Sequence, residues 1–328
     1  MKKFLALALT LVMVLSLTAC GGKTGEKTPD AGKSGYHISV ILKSSSEYWQ
    51  YIIAGAEAYD KDHPNVTVEI KGPPSETSYD EQQNMIETDM NNAGIDGYVI
   101  APLQSDMVAN MIKGQTKPII ALDTKIEAPE VLSFVGTGNE AAAKMGALAA
   151  VDAAKAAGWT EIKCIEIAGV QGDATNTARM NGYTAGVEEN GGDFLEAEVQ
   201  YANAVADQAT TCMEAVMQTH PDGVAIICAN NDDMASAAAR AASGAAGWEK
   251  TIFLGFDGST GACQAILDGQ MTMSIAQQPY EMGYKACEAA YKTLMGETVD
   301  QFIDSGIEVI TPENAQARID TVNGYLGK

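Results

Sequence analysis

Polar clusters recur at one kind of place in this chain, immediately after short apolar runs. They are Ser44-Ser45-Ser46-Glu47-Tyr48-Trp49, Asp123-Thr124, Asn230-Asn231-Asp232-Asp233, Asp257-Gly258 and Gln277-Gln278-Pro279. An Asp carboxylate accepts two hydroxyl hydrogen bonds at once, Asn and Gln both donate and accept, and an aromatic face covers the apolar C–H face of a ring. Together these groups suit recognition of a polyhydroxylated molecule. Taken singly, an Asp or Asn after a strand is a turn former or a helix cap. Several such positions in one chain favour a site.

Other chemistries find little support. Asp123 and Asp257 could act as a glycosidase acid and base, but the sequence has no Ser-His-Asp constellation, nucleophile elbow, P-loop or metal cluster. The histidines are His37, His63 and His220, and the last two precede proline. The run Gly136-Thr137-Gly138-Asn139-Glu140-Ala141 fits the GxGxxA pattern of dinucleotide-binding loops. It sits in mid-chain, no acidic residue ends a following strand at the expected distance, and Glu140 would face the phosphates. It reads instead as a crossing and a tight strand-to-helix turn. No cofactor and no metal are expected. With 43 acidic against 21 basic residues and a formal charge of −22, the surface repels phosphate backbones and excludes nucleic acid as a partner.

The elements that must position these groups begin after an export-type segment. Lys2 and Lys3 precede an apolar run over 4–17, too short to span a bilayer. Leu17-Thr18-Ala19-Cys20 resembles the lipobox of bacterial lipoproteins, which predicts a signal peptide over 1–19, lipidation at Cys20 and a flexible tether over 20–35. From residue 36 apolar strands alternate with amphipathic helices, with strands expected at 37–42, 66–70, 97–101, 118–122, 162–168, 223–228, 251–256 and 271–276. Ser78 with Glu81 and Thr137 with Glu140 have capping-box spacing. An apolar fraction of 46% with only 6% aromatics suits tightly packed α/β layers. Two batches of such units predict two doubly wound lobes, with ligands at the carboxyl ends of the strands. Cys164, Cys212, Cys228, Cys263 and Cys287 show no CxxC pair. They are expected as thiols, a Cys212–Cys228 disulfide being the alternative.

Over residues 36–311 the chain resembles the ribose- and galactose-type periplasmic sugar-binding proteins of ABC importers. The matching stretches are Ile119-Ile120-Ala121-Leu122-Asp123, His220-Pro221-Asp222, Asn230-Asn231-Asp232-Asp233-Met234-Ala235, Leu254-Gly255-Phe256-Asp257-Gly258 and Ile275-Ala276-Gln277-Gln278-Pro279. The resemblance implies the type I periplasmic binding protein fold, two Rossmann-like lobes joined by a three-segment hinge and closing over one monosaccharide. The lobes would comprise 36–136 plus 278–306 and 137–277 plus 307–328. Carried over residue by residue, Asp123, Asn231, Asp257 and Gln277 are hydrogen-bonding ligands. Ser46 holds a polar position, Tyr48 and Trp49 the stacking positions, and Asn139 with Thr137 lies beside the first crossing.

The departures from the ribose pattern bear on the ligand. Thr124 stands where an arginine follows the strand-four aspartate, and Thr177 where a second arginine opens a helix. Arg179, two residues later, is expected in a surface ion pair. Ala204 falls where an aromatic is usual. The implied ligand is therefore a neutral sugar or polyol without ribose being carried over. The implied partners are an ABC permease with its ATPase, with membrane contact through the lipid alone and an extracytoplasmic location. A sensory protein reporting a sugar-like signal or a nucleoside to a membrane receptor is the alternative, and an enzyme is less favoured. An N-terminal export signal without a helix-turn-helix excludes a repressor.

Overall fold

The computed structural model describes residues 35–328. The export-type run, Cys20 and nearly all of the tether lie outside the described residues. The first half runs β1 (Tyr36–Ile41), α1 (Glu47–Asp62), β2 (Val66–Lys71), α2 (Tyr79–Met90), β3 (Gly97–Ile100), α3 (Ser105–Met111), β4 (Ile119–Leu122) and β5 (Val131–Gly136). The second runs α4 (Asn139–Ala156), β6 (Lys163–Ala168), α5 (Ala174–Glu188), β7 (Asp193–Phe194), β8 (Gln200–Tyr201), α6 (Ala206–Thr219), β9 (Ile226–Ala229), α7 (Asp232–Ala242), β10 (Ile252–Asp257), α8 (Thr260–Leu267) and β11 (Met273–Gln277). The chain then returns through α9 (Pro279–Leu294), β12 (Phe302–Asp304), β13 (Ile307–Ile310) and α10 (Ala315–Tyr325).

Two sheets result, one per lobe. The first has the order β12-β5-β4-β3-β1-β2 and the second β13-β11-β10-β9-β6-β7, with β8 also on β6. Every pairing is parallel except that of β13 on β11. The short central strands Gly97–Ile100, Ile119–Leu122 and Ile226–Ala229 are buried at every residue. Parallel strands with helices on both faces require such unbroken apolar runs.

Small residues let the helices lie close to one another and to the sheets. A Cβ on Gly182 of α5 would come within 2.2 Å of the Glu140 carbonyl of α4, and one on Gly55 of α1 within 2.0 Å of the Tyr280 carbonyl of α9. This is the tight packing that the high apolar and low aromatic fractions pointed to. Although α9 is late in the chain, it packs in the first lobe, where Met282, Ala286 and Cys287 join Ile38 and Val40 in one core.

One sequence expectation needs correction. Neither capping box forms. Ser78 precedes α2 but makes no side-chain cap, its Oγ lying 2.9 Å from Ser75 Oγ. Helix α4 starts one residue later than the Thr137 pattern requires, with Gly138 at its cap. Thr137 lies in a crossing between lobes, its Oγ1 3.3 Å from Ser305 Oγ of another crossing. The alternative Cys212–Cys228 bridge is absent, and all five described cysteines are free. Cys228 lies buried instead beside Cys164 on the neighbouring strand, Sγ to Sγ 3.4 Å.

Candidate ligand-binding cleft

The carboxyl ends of both sheets face one small cavity, of about 70 Å³, between the lobes. Three of the described non-glycine residues with positive φ line it: Asp123 (φ 60°), Ala204 (φ 60°) and Asp257 (φ 130°). Such conformations are costly for residues with a Cβ and concentrate at functional sites.

On the first lobe, α1 delivers Ser46, Tyr48 and Trp49 to the wall. Tyr48 Oη donates to Asp123 Oδ1 at 2.8 Å, and Thr124 Oγ1 donates to Asp123 Oδ2 at 2.9 Å. The Tyr48 and Trp49 rings meet edge to face, 5.3 Å between centroids, a favoured aromatic geometry. Trp49 Nε1 donates to Glu76 Oε1 at 3.2 Å. Burial pushes the Glu76 carboxyl up, with the Lys43 charge opposing.

On the second lobe, Gln277 Nε2 donates to Asp257 Oδ1 at 2.8 Å. The Gln277 Oε1 is buried without a protein donor, leaving an acceptor for a ligand hydroxyl. Asn231 lines the cleft while its Oδ1 accepts from Met234 N at 2.9 Å, capping α7. Burial pushes the Asp257 carboxyl well up, against the opposing charge of Arg179.

Arg179 is not at the surface, as the sequence had suggested. It is 5% exposed, with its guanidinium 3.6 Å above the Phe256 ring and 3.9 Å from Asp257 Oδ1. Its Nε donates to Asn139 Oδ1 at 2.9 Å and its Nη1 to the Asn230 carbonyl at 2.5 Å. The signal for this was helical spacing: Thr175, Asn176, Arg179, Gly182 and Tyr183 form the buried stripe of α5. Thr177 is off that stripe, exposed, and donates to the Asp173 carbonyl at 3.0 Å.

Of the ten expected site residues, Ser46, Tyr48, Trp49, Asp123, Asn231, Asp257 and Gln277 line the cleft. Thr124 is fully buried behind Asp123, Asn139 holds Arg179 from behind, and Thr177 faces a separate groove. Sequence reasoning missed Lys43, Glu76 and Asp173, all of which line the cavity, as does Asn230 of the polar cluster after β9. Beneath the floor, Glu166 is buried, with its Oε1 accepting from Asn230 Nδ2 at 3.3 Å and its Oε2 without a partner. Burial raises its pKa to about 8, with the Asn230 bond and the Arg179 charge opposing.

The lobes also bond to each other directly. Lys43 Nζ lies 2.6 Å from Asp173 Oδ2, Thr124 Oγ1 lies 2.8 Å from Thr175 Oγ1, and Thr260 Oγ1 donates to Glu47 at the rim. Among the described residues, no group of three or more His, Cys, Asp or Glu side chains is arranged to hold a metal.

Two parallel sheets that present acids, amides and aromatics to one shared cavity define a two-lobed ligand-binding protein. The chain belongs to the periplasmic binding protein domain family, whose pattern matches residues 38–298. It is 33% identical over 214 residues to the ribose import binding protein RbsB of Salmonella typhimurium, 64% of this chain and 70% of that one. It is 33% identical over 256 residues to the D-allose-binding periplasmic protein of Escherichia coli, 75% of this chain and 80% of that one. A solved ABC transporter solute binding protein from Agrobacterium vitis, with bound D-fucose, superposes with a TM-score of 0.77 at 26% identity, covering 85% of this chain and 96% of that one. These relatives are solute-binding proteins of transporters, and the chain belongs with them rather than with enzymes.

Proposed function

We propose that this chain is an extracytoplasmic, lipid-anchored solute-binding protein of an ABC importer, taking a small neutral sugar or polyol by hinge closure. One observation carries the proposal. Asp123 and Asp257 end strands of opposite sheets and line one cavity, both in positive-φ conformations. A ligand whose hydroxyls donate to both acids and to Gln277 Oε1 completes its contacts only when the lobes are together, so binding favours the closed form. The named relatives that import ribose or bind D-allose support the ligand class. The lobes of this reading are 36–136 plus 278–306 and 137–277 plus 307–328, moving about their three crossings. Lipidation at Cys20 rests on the Leu17-Thr18-Ala19-Cys20 pattern and is tested by radiolabelled-palmitate incorporation in wild type and Cys20→Ala.

The deciding experiment is thermal melting of the full-length chain against neutral monosaccharides, polyols, sugar acids, nucleosides and amino acids. A ligand at about 100 times its Kd adds about 2.7 kcal/mol to folding stability. A rise with a neutral sugar or polyol supports the proposal. A rise only with nucleosides or amino acids overturns the ligand class.

A further inference from the structure

We infer that Asp173 excludes acidic sugars from the cleft by occupying, from within the protein, the one ammonium that would otherwise anchor a ligand carboxylate. The inference rests on the proposal that the cleft takes a small hydroxylated molecule. Lys43 follows β1 and is 4% exposed, with its Nζ 2.6 Å from Asp173 Oδ2 and 3.9 Å from Asp123 Oδ2. An ammonium in the wall of a binding cavity is a ready partner for a carboxylate, through a charge-assisted hydrogen bond. Here that bond is already made.

The geometry of Asp173 makes it a dedicated occupant. Its Oδ1 accepts from Asn176 N at 2.8 Å, capping α5, so only Oδ2 is turned to Lys43. The helix thus fixes the aspartate from behind. The two residues belong to opposite lobes, so the pair forms as the lobes meet. An acidic ligand would either displace Asp173 from the ammonium, which costs a buried pair, or share a Lys43 charge that Asp173 already neutralises. It would also bring its own charge towards Glu76, Asp123 and Asp257, which line the same cavity. Burial alone would draw the Lys43 pKa down, but Asp173, Asp123 and Glu76 outweigh it and the net shift is upward, so the ammonium stays charged.

Asp173→Ser tests the inference. Serine caps a helix about as well as aspartate, so α5 keeps its start, while the charge goes and space opens beside Lys43 Nζ. Asp173→Asn, which keeps cap and volume, is the second variant if the serine form is unstable. Calorimetric titration of the full-length chain uses D-galacturonate and D-gluconate as acidic probes, with D-galactose, D-ribose and D-allose as neutral ones. Asp173→Ser is expected to bind an acidic probe on the order of ten-fold more tightly than wild type does, the scale of one charge-assisted hydrogen bond. The gain should vanish in Asp173→Ser combined with Lys43→Met. Wild type binding an acidic probe as tightly as its neutral counterpart overturns the inference. So does no gain in a folded Asp173 variant, or a gain that survives loss of Lys43. Failure of wild type to bind any neutral probe counts against the proposed ligand class, whereas the acidic-probe comparison between variants is read independently of it.

Discussion

Thr124 and Thr175 touch across the two lobes, their Oγ1 atoms 2.8 Å apart. Thr124 donates to Asp123 Oδ2 at 2.9 Å, and Thr175 reaches the Asp123 carbonyl at 3.5 Å. Both hydroxyls thus tie α5 of the second lobe to the side chain and backbone of Asp123, so that on the proposed reading lobe closure and the placement of this carboxylate are linked.

Thr175→Val keeps the shape and removes the cross-lobe hydroxyl. Affinity for the neutral ligand should fall several-fold, reflecting about 1 kcal/mol for one buried hydrogen bond. Small-angle scattering of the ligand-free protein should show a larger radius of gyration. Unchanged affinity and radius would mean that the contact does nothing for closure.

Asp257→Ala removes the partner of Gln277 and, on the proposed reading, an acceptor for the ligand. Binding should weaken by about 2–5 kcal/mol in calorimetric titration, with the circular dichroism spectrum unchanged. Wild-type affinity in this variant would take Asp257 out of the site.

Arg179 is planar, stacked on Phe256 and hydrogen-bonded on two sides. A point charge cannot reproduce that arrangement. Both Arg179→Met and Arg179→Lys should lower unfolding free energy, the methionine form by about 1–3 kcal/mol because the Asn139 and Asn230 acceptors lose their buried donor. Full rescue by lysine in urea unfolding would show that charge alone matters.

Glu166 sets a pH dependence. Its folded pKa is raised to about 8 by burial, against the Asn230 bond and the Arg179 charge. An unfolded glutamate titrates at about 4.3. Between those values the folded state holds a proton that the unfolded state lacks, so this group makes stability fall as pH rises, levelling off above about 8. Relative to wild type, Glu166→Gln should gain stability progressively from about pH 4 to pH 8, reaching a few kcal/mol. A Tm difference that stays constant over that range would show that Glu166 does not carry the proton.

Gly182→Ala tests the helix packing. The new methyl would lie 2.2 Å from the Glu140 carbonyl, a backbone atom that cannot rotate away. A loss of about 1–3 kcal/mol in urea unfolding is expected, and a neutral result would mean that α4 and α5 are looser than described.

The regular part of this fold was legible because its strands are short, fully apolar and separated by amphipathic helices. The run expected at 118–122 is β4 at Ile119–Leu122, and that expected at 251–256 is β10 at Ile252–Asp257. Strands β12 and β13 were not seen. They have three and four residues and are partly exposed, so they owe their conformation to sheet edges contributed by distant segments. In the cleft, acids and amides after strands could be read directly. Lys43 could not, because a lysine after a strand ordinarily points to water, and its partner Asp173 is 130 positions away. Arg179 was misplaced because position along α5 was considered rather than the face of the helix on which it lies.

The return of the chain to its first lobe sets the order in which that lobe can be completed. Part of its core, Met282 and Cys287, is on α9, and its edge strand is Phe302–Asp304. The second lobe waits in turn for Ile307–Ile310 and for α10. A polypeptide delivered from its N-terminus, by a ribosome or through a narrow pore, therefore completes neither half until nearly all of it has emerged. The architecture defers completion of both lobes to the final stretch of the chain.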